Sequence, residues 1–217
     1  MSEEIKVLFR KGHWIIINKP AGISVHNEED ETNILELIEK QENKKYFAVH
    51  RLDKETSGIL ILSSSSDISA SLQTALDKSS KKIYQGIVRG VLKKESGLWE
   101  QELTGKGEGR NNPQGVKAER VNAGTEFKVL NKNKFLSLME FKLLTGRQHQ
   151  IRKHCVLNKH EIIGDKRYGE PKYRKMINGK YDFKGMCLHA HKLSFTYKDE
   201  LIVVEAPIPE AWNCFQL

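Results

Sequence analysis

The 217-residue chain has only three cysteines, Cys155, Cys187 and Cys214, an odd number with no C-x-x-C spacing. That excludes a disulfide framework and a structural zinc site of cysteine type, and free thiols fit a reducing interior. No stretch approaches the roughly 20 apolar residues that span a bilayer. The opening MSEEIKVLFRKGHW has neither the uninterrupted apolar segment nor the small-residue cleavage site of a secretory signal, so a cytoplasmic protein is expected. Other motifs are missing too. His149 and His154 are five apart without H-E-x-x-H, the glycines near 105–109 lack a G-K-[ST] ending, and no G-x-S-x-G occurs. Zincin, P-loop and serine-hydrolase chemistries are thereby set aside. No repeat of 20–50 residues and no low-complexity tract is present.

What is there is a basic, moderately polar chain, with 36 Lys and Arg against 28 Asp and Glu and 38% hydrophobic residues. It is long enough to bury a core without metals or cross-links. A net charge of +8 favours a polyanionic partner without specifying one.

One stretch organises the chain, HRLDKETSGILIL, His50 to Leu62. Ile59 to Leu62 read as a strand buried on both faces. Before it, His50, Arg51, Asp53, Lys54 and Glu55 crowd the entrance. A carboxylate at the mouth of an apolar core is costly unless a cation offsets it, and perturbed carboxylates are often working ones.

Around this stretch, Lys6–Phe9 and His13–Asn18 read as strands, broken by Lys19-Pro20-Ala21-Gly22. Thr32-Asn33 can cap a helix through Glu42, with Ile34, Leu35, Leu37 and Ile38 as its apolar stripe. Tyr46–Val49 leads back to the central motif. Asp67 can cap a second helix through about Leu76. Lys82–Val88 is a strand, and Thr125–Leu130 and Phe135–Leu144 pair around Asn131-Lys132-Asn133. Between them, residues 104–122 are rich in glycine, asparagine and lysine, which predicts a mobile loop or a long exposed hairpin able to lie on a phosphate backbone. Arg147–Leu157 reads as a helix with Ile151, Cys155 and either His154 or Leu157 inward. Lys172–Lys184 reads as loop, and Leu188–Phe195 with Leu201–Glu205 as a last antiparallel pair. Roughly eight strands with local hairpins and three or four helices define an α+β fold, a single domain with a mostly antiparallel sheet.

Three patches are more polar than core formation needs, His50–Glu55, Lys82–Tyr84 and Arg147–His154. If they converge, a carboxylate (Asp53), a phenol (Tyr84) and a guanidinium (Arg147 or Arg152) share one site, where the cation keeps the aspartate ionised as nucleophile or base.

HRLDKETSG closely resembles the signature of the RluA-type RNA pseudouridine synthases. INKPAGISVH (17–26), KIYQGIVRG (82–90), LLTGRQHQIRKHC (143–155), IIGDKRYG (162–169) and LHAHKLSF (188–195) are similar to further family segments in the same order. The resemblance implies a compact member without the S4-like domain, isomerising uridine in a ribosomal or transfer RNA stem-loop with no cofactor and no metal. It implies that Asp53 attacks the flipped-out nucleotide, that Tyr84 stacks on the base and helps remove its C5 proton, and that Arg152 pairs with the aspartate. Arg51 matches a residue that fills the space the base leaves. Arg147, His149, Lys106, Arg110, Lys117, Lys166 and Arg167 are the further candidates for RNA contact, and a monomer is expected. Gln85-Gly86 and Thr196-Tyr197 depart from the family pattern. An RNA-folding chaperone on the same scaffold is the competing expectation. A glycoside hydrolase using Asp53 and Glu55 is disfavoured, because two carboxylates two apart on a turn are poorly placed to flank one bond.

Overall fold

A computed structural model describes residues 4–26 and 32–217. The chain runs β1 (Val7–Lys11), β2 (Trp14–Lys19), α1 (Ile34–Glu42), β3 (Phe47–Ala48), β4 (Ser57–Ser63), α2 (Ser66–Ser79) and β5 (Lys81–Arg89). It continues with β6 (Ser96–Trp99), β7 (Thr125–Lys132), β8 (Leu136–Leu143), α3 (Gln150–Leu157), α4 (Pro171–Tyr181), β9 (Leu188–Tyr197) and β10 (Glu200–Glu205). The fold is α+β, with a mixed, mostly antiparallel sheet arrangement. Two compact units can be distinguished, residues 1–82 with 189–208, and residues 83–188 with 209–217.

In the first unit the strands lie in the order β1-β2-β4-β9, with β3 also on β4 and β10 on β9. Every pairing is antiparallel except β4 with β9. All seven residues of β4 are buried, as an apolar run bounded by serines requires. The pleat sends Leu60 and Leu62 to the side where Ile15, Ile17, Ile34 and Ile38 meet them, so α1 covers that face. Asn33 caps α1 by accepting a hydrogen bond from the Glu36 amide at 3.1 Å, as its position predicts. The second helix differs from expectation: Ser65, not Asp67, stands at its N-cap and makes no side-chain capping bond, and the helix runs on to Ser79.

In the second unit the strands lie in the order β5-β8-β7-β6, all pairings antiparallel, with β5 beside the last of them in sequence, β8. Trp99 packs on Phe127, with ring centroids 4.5 Å apart, and on Phe141 at 6.0 Å. Asn133 closes the β7–β8 turn, its side-chain oxygen accepting from the amides of Phe135 and Leu136, both at 2.9 Å.

Two expectations fail here. The stretch from Lys172 is helix, not loop: α4 opens with Pro171 in its first turn, where proline's missing amide costs nothing, and buries Ile177. The helix after the TGR motif starts at Gln150, because His149 takes the left-handed conformation (φ 55°) and cannot continue a right-handed turn. Residues 104–122, expected as a loop or a long hairpin, form a loop closed at its base by a single antiparallel bridge and not by a strand ladder. Leu103 bridges Val121, Lys117–Glu119 form a 3-10 turn, and Thr104 is buried.

Candidate active site

The first unit builds a rigid frame for Asp53. Lys19 ends β2, and its side chain is wholly buried. With no water to solvate it, the ammonium donates to the carbonyls of Pro20 and Ile23, both at 2.8 Å, and of Lys54 at 3.2 Å. Burial pulls the Lys19 pKa down to about 8, against the opposing charges of Asp53 and Glu55. The Lys54 carbonyl also accepts from the Gly22 amide at 2.8 Å, and the Asp53 carbonyl accepts from Thr56 at 3.1 Å. The turn carrying Asp53 is thus held from both sides.

His50 fixes the upstream end. Its Nε2 accepts from the Ile61 amide at 3.2 Å, which requires an unprotonated nitrogen there. Burial, together with the charge of Lys82, lowers its pKa to about 4, against a backbone hydrogen bond at Arg51. Downstream, Ser57 Oγ lies 2.8 Å from His189 Nδ1, with both side chains buried. Burial likewise brings His189 to about 4. Gly58, φ 108°, ends the motif where β4 runs beside β9. A Cβ there would sit 2.3 Å from the Ala190 carbonyl oxygen, so no side chain fits. Asp53 itself is half-buried, and Arg51 beside it is exposed.

The second unit carries Tyr84, half-buried on β5 opposite Phe141 of β8. The departure at Gly86 has a physical cause. A Cβ at that position would lie 2.9 Å from the Cys187 carbonyl, whose oxygen accepts from the Ile87 amide at 3.1 Å.

Arg152 projects from α3 and is buried. Its Nε and Nη2 each donate at 2.8 Å to the two oxygens of Asp165, a carboxylate that the motif comparison had not singled out. Burial opposes ionisation of Asp165. The hydrogen bonds and charge of Arg152, with the Tyr168 and Arg167 amides, nevertheless hold its carboxyl below the ordinary value. The Arg152 guanidinium also lies 5.3 Å from the Tyr168 ring centroid, and the Tyr168 hydroxyl is 2.9 Å from His149 Nδ1. One turn, Asp165–Tyr168, therefore orients both the arginine and the strained histidine.

The remaining RNA-contact candidates divide by what holds them. The Lys106 ammonium is 2.8 Å from Glu119, and Arg167 donates to the carbonyls of Gly107 and Glu108. Lys153, buried on α3, donates to the carbonyls of Thr104 at 3.0 Å and Lys106 at 2.7 Å. These two cations pin residues 104–108 beside His149, whose Cε1 would lie 3.2 Å from a Cβ at Gly107. Arg110, Lys117, Lys166 and Arg147 are exposed, and Arg147 Nε donates to the Asn122 carbonyl at 3.3 Å.

Sequence reasoning missed Lys19, Lys153 and Asp165 as organising residues. Lysine and aspartate are ordinarily surface residues, and the usable signals were that Lys19 ends an apolar strand and that all three lie in segments similar to the family's. Among the described residues, no group of three or more His, Cys, Asp or Glu could hold a metal ion. No helix among them is long and apolar enough to cross a membrane.

This architecture is that of known pseudouridylate synthase domains. Human RNA Pseudouridylate Synthase Domain Containing 1 superposes with a TM-score of 0.81 at 21% identity, over 98% of this chain and 88% of that one. In sequence, tRNA pseudouridine synthase C of Vibrio parahaemolyticus is 30% identical, over 97% of this chain and 93% of the relative. An uncharacterised RNA pseudouridine synthase of Bacillus subtilis is 37% identical, over 95% and 69%. Residues 13–156 match the RNA pseudouridylate synthase family, and the chain belongs to that family. It is an RNA pseudouridine synthase, an isomerase, and RNA is its substrate.

Proposed function

We propose that the chain isomerises a uridine of transfer RNA, with Asp53 as the nucleophile, Tyr84 against the base and Arg152 as the cation that keeps the aspartate ionised. One observation carries the assignment: Asp53 is the carboxylate at the mouth of β4, on a turn that Lys19 and His50 lock from either side. The chemistry is redox-neutral. The bond from C1′ to N1 of the uracil breaks as an Asp53 oxygen bonds to C1′, the carboxylate meeting the positive charge that develops on the sugar. The freed uracil turns, C5 bonds to C1′ as the bond from C1′ to Asp53 breaks and returns the carboxylate, the C5 proton leaves with help from Tyr84, and N1 takes up a proton. The target must leave its stack first, and Arg51, exposed beside Asp53, is the side chain to fill the gap.

Transfer RNA is preferred because the relative of which this chain covers 93% carries that substrate in its name; ribosomal RNA is the second arm of the test. The enzyme acts in the cytoplasm as a monomer, without metal. Arg110, Lys117, Lys166 and Arg147 contact phosphate, with His149 lining the approach. Tritium release from RNA labelled at uridine C5 tests the proposal. Wild type releases tritium from transfer RNA, and Asp53→Asn releases none while still binding it. Release from ribosomal RNA alone overturns the substrate, and an active Asp53→Asn overturns the nucleophile.

A further inference from the structure

The second unit holds a groove of about 500 Å³ that the reaction does not use. It lies between the end of β5, the start of β8 and α4, and Arg89, Phe135, Tyr173, Met176, Lys180 and Tyr181 line it. Tyr84 sits five residues from Arg89 on β5, about 17 Å along the strand, so the groove is remote from the proposed base site.

Its composition is unusual for a surface. Phe135 is 56% exposed and Met176 49%, although a turn tip is an easy place for polar residues. The Phe135 backbone is fixed, its amide donating to Asn133 Oδ1 at 2.9 Å and its carbonyl accepting from Gly90 at 2.8 Å. The ring is therefore presented on a rigid mount. Tyr181 is mounted as well, packed on Phe215 with centroids 4.9 Å apart. The Lys180 ammonium serves both rings, 5.2 Å from the Phe135 centroid and 5.0 Å from that of Tyr181. Arg89 stacks 4.1 Å from the Tyr173 centroid, steadied by Glu170 at 3.1 Å and Glu161 at 3.6 Å. Lys134 lies 5.7 Å from Phe135 on the rim.

Rigid aromatic faces interleaved with cations are what an unpaired nucleotide needs, a π-face for the base and a positive charge for the phosphate. A purely apolar partner would leave the Lys134 and Lys180 ammonium groups to be desolvated, whereas a nucleic acid uses them. We propose that this groove binds an unpaired nucleotide of RNA flanking the stem-loop, its base displacing the Lys180 ammonium from between the rings so that the ammonium meets phosphate. The inference rests on the chain acting on RNA, but not on Asp53 being the nucleophile.

The test uses fluorescently labelled oligoadenylate, which contains no uridine and so cannot be a substrate, with the full chain. Phe135 is exposed, so Phe135→Ala leaves the fold intact; Lys180→Glu is the second variant. Anisotropy is expected to show each variant binding on the order of ten-fold more weakly than wild type. Turnover of a stem-loop trimmed of its single-stranded flanks should be unchanged, and the KM for the flanked RNA should rise. Equal binding by wild type and both variants overturns the proposal, as does wild type failing to bind oligoadenylate while turning over RNA. An equal loss for an abasic oligomer overturns base stacking. Self-association of wild type that Phe135→Ala abolishes, with no change in oligoadenylate binding, assigns the groove to a second copy of the chain instead.

Discussion

The Lys19 ammonium donates to the Lys54 carbonyl oxygen across 3.2 Å, joining the last residue of β2 to the turn on which Asp53 stands. The same ammonium satisfies two carbonyls of the preceding turn. Lys19→Met leaves three acceptors to find new partners and frees the Asp53 turn, at about 1–3 kcal/mol for each group left unsatisfied. We expect tritium release to fall at least ten-fold, mainly through kcat, while RNA affinity is kept. Lys19→Arg should not restore it, since a wholly buried slot has no room for a guanidinium. The pH dependence gives an independent check. Because the folded pKa, about 8, lies below the unfolded value, the unfolded chain binds more protons between pH 8 and 10.5. The contribution of this residue to stability therefore rises with pH across that window, and denaturant titrations of Lys19→Met should lack the rise.

Arg152 and Asp165 form a second such relationship, both nearly inaccessible and joined by two 2.8 Å hydrogen bonds. Asp165→Asn removes the charge that meets the buried guanidinium across both hydrogen bonds and should cost roughly 3–5 kcal/mol, a fall in Tm on the order of 10 °C. The apolar double variant, Arg152→Met with Asp165→Leu, should be more stable than Asp165→Asn, because two buried charges are removed together. It should nevertheless release no tritium. Activity in that double variant would leave Arg152 a structural residue and remove it from the mechanism.

Acid should loosen the first unit before its carboxylates titrate. His50 and His189 are both held to about 4, mainly by burial, below the 6.5 of an ordinary histidine. Between pH 6.5 and 4 the unfolded chain takes up these protons and the folded chain does not, so stability falls as pH falls through that window. Each residue contributes on the order of 3 kcal/mol at most. His50→Gln, whose amide oxygen can still accept from the Ile61 amide, should flatten the loss between pH 6.5 and 4 in calorimetry. An unchanged pH profile would mean that His50 titrates normally.

Much of this was legible in the sequence where the chain is periodic or apolar. β4 announces itself because nothing but a buried strand suits Ile59–Leu62, and α1 because its stripe follows a capping asparagine. What escaped was short or polar. β3 has two residues and β6 four, too few to show a period. α4 buries only Ile177 among lysines and tyrosines, so its pattern is nearly flat, and Pro171 was its one usable signal. α3 buries Gln150, Arg152 and Lys153, residue types whose ordinary place is the surface, beside His154, one of the two alternatives expected inward. Their burial depends on partners far along the chain, such as Thr125 for His154 and Thr104 for Lys153, and local sequence carries no trace of those. The family resemblance implied roles for Asp53, Tyr84 and Arg152, but none for Lys19 and Asp165, which lie inside its segments and hold two of them in place.

Lys153 decides whether residues 104–122 act as a loop or as a surface. Its ammonium is buried under the segment and donates to Thr104 and Lys106. Burial lowers its pKa, against the attraction of Glu108, so this cation is given over to holding the loop and not to RNA. Lys106 is likewise engaged by Glu119, and Arg167 by the Gly107 and Glu108 carbonyls. Arg110 and Lys117 are left exposed for phosphate. Binding should weaken steeply with salt, and Arg110→Ala and Lys117→Ala should each lower the slope of log affinity against log salt by about one. Lys106→Ala should change it by much less, because that lysine already has a carboxylate. Lys153→Met should expose the segment to trypsin at Lys106, Arg110 and Lys117 and weaken binding without a matching change in slope, since it removes order and not a phosphate contact. A slope reduced equally by all four substitutions would show that the ion pair and the buried anchor open on binding, and that the loop seen here is not the one that meets RNA.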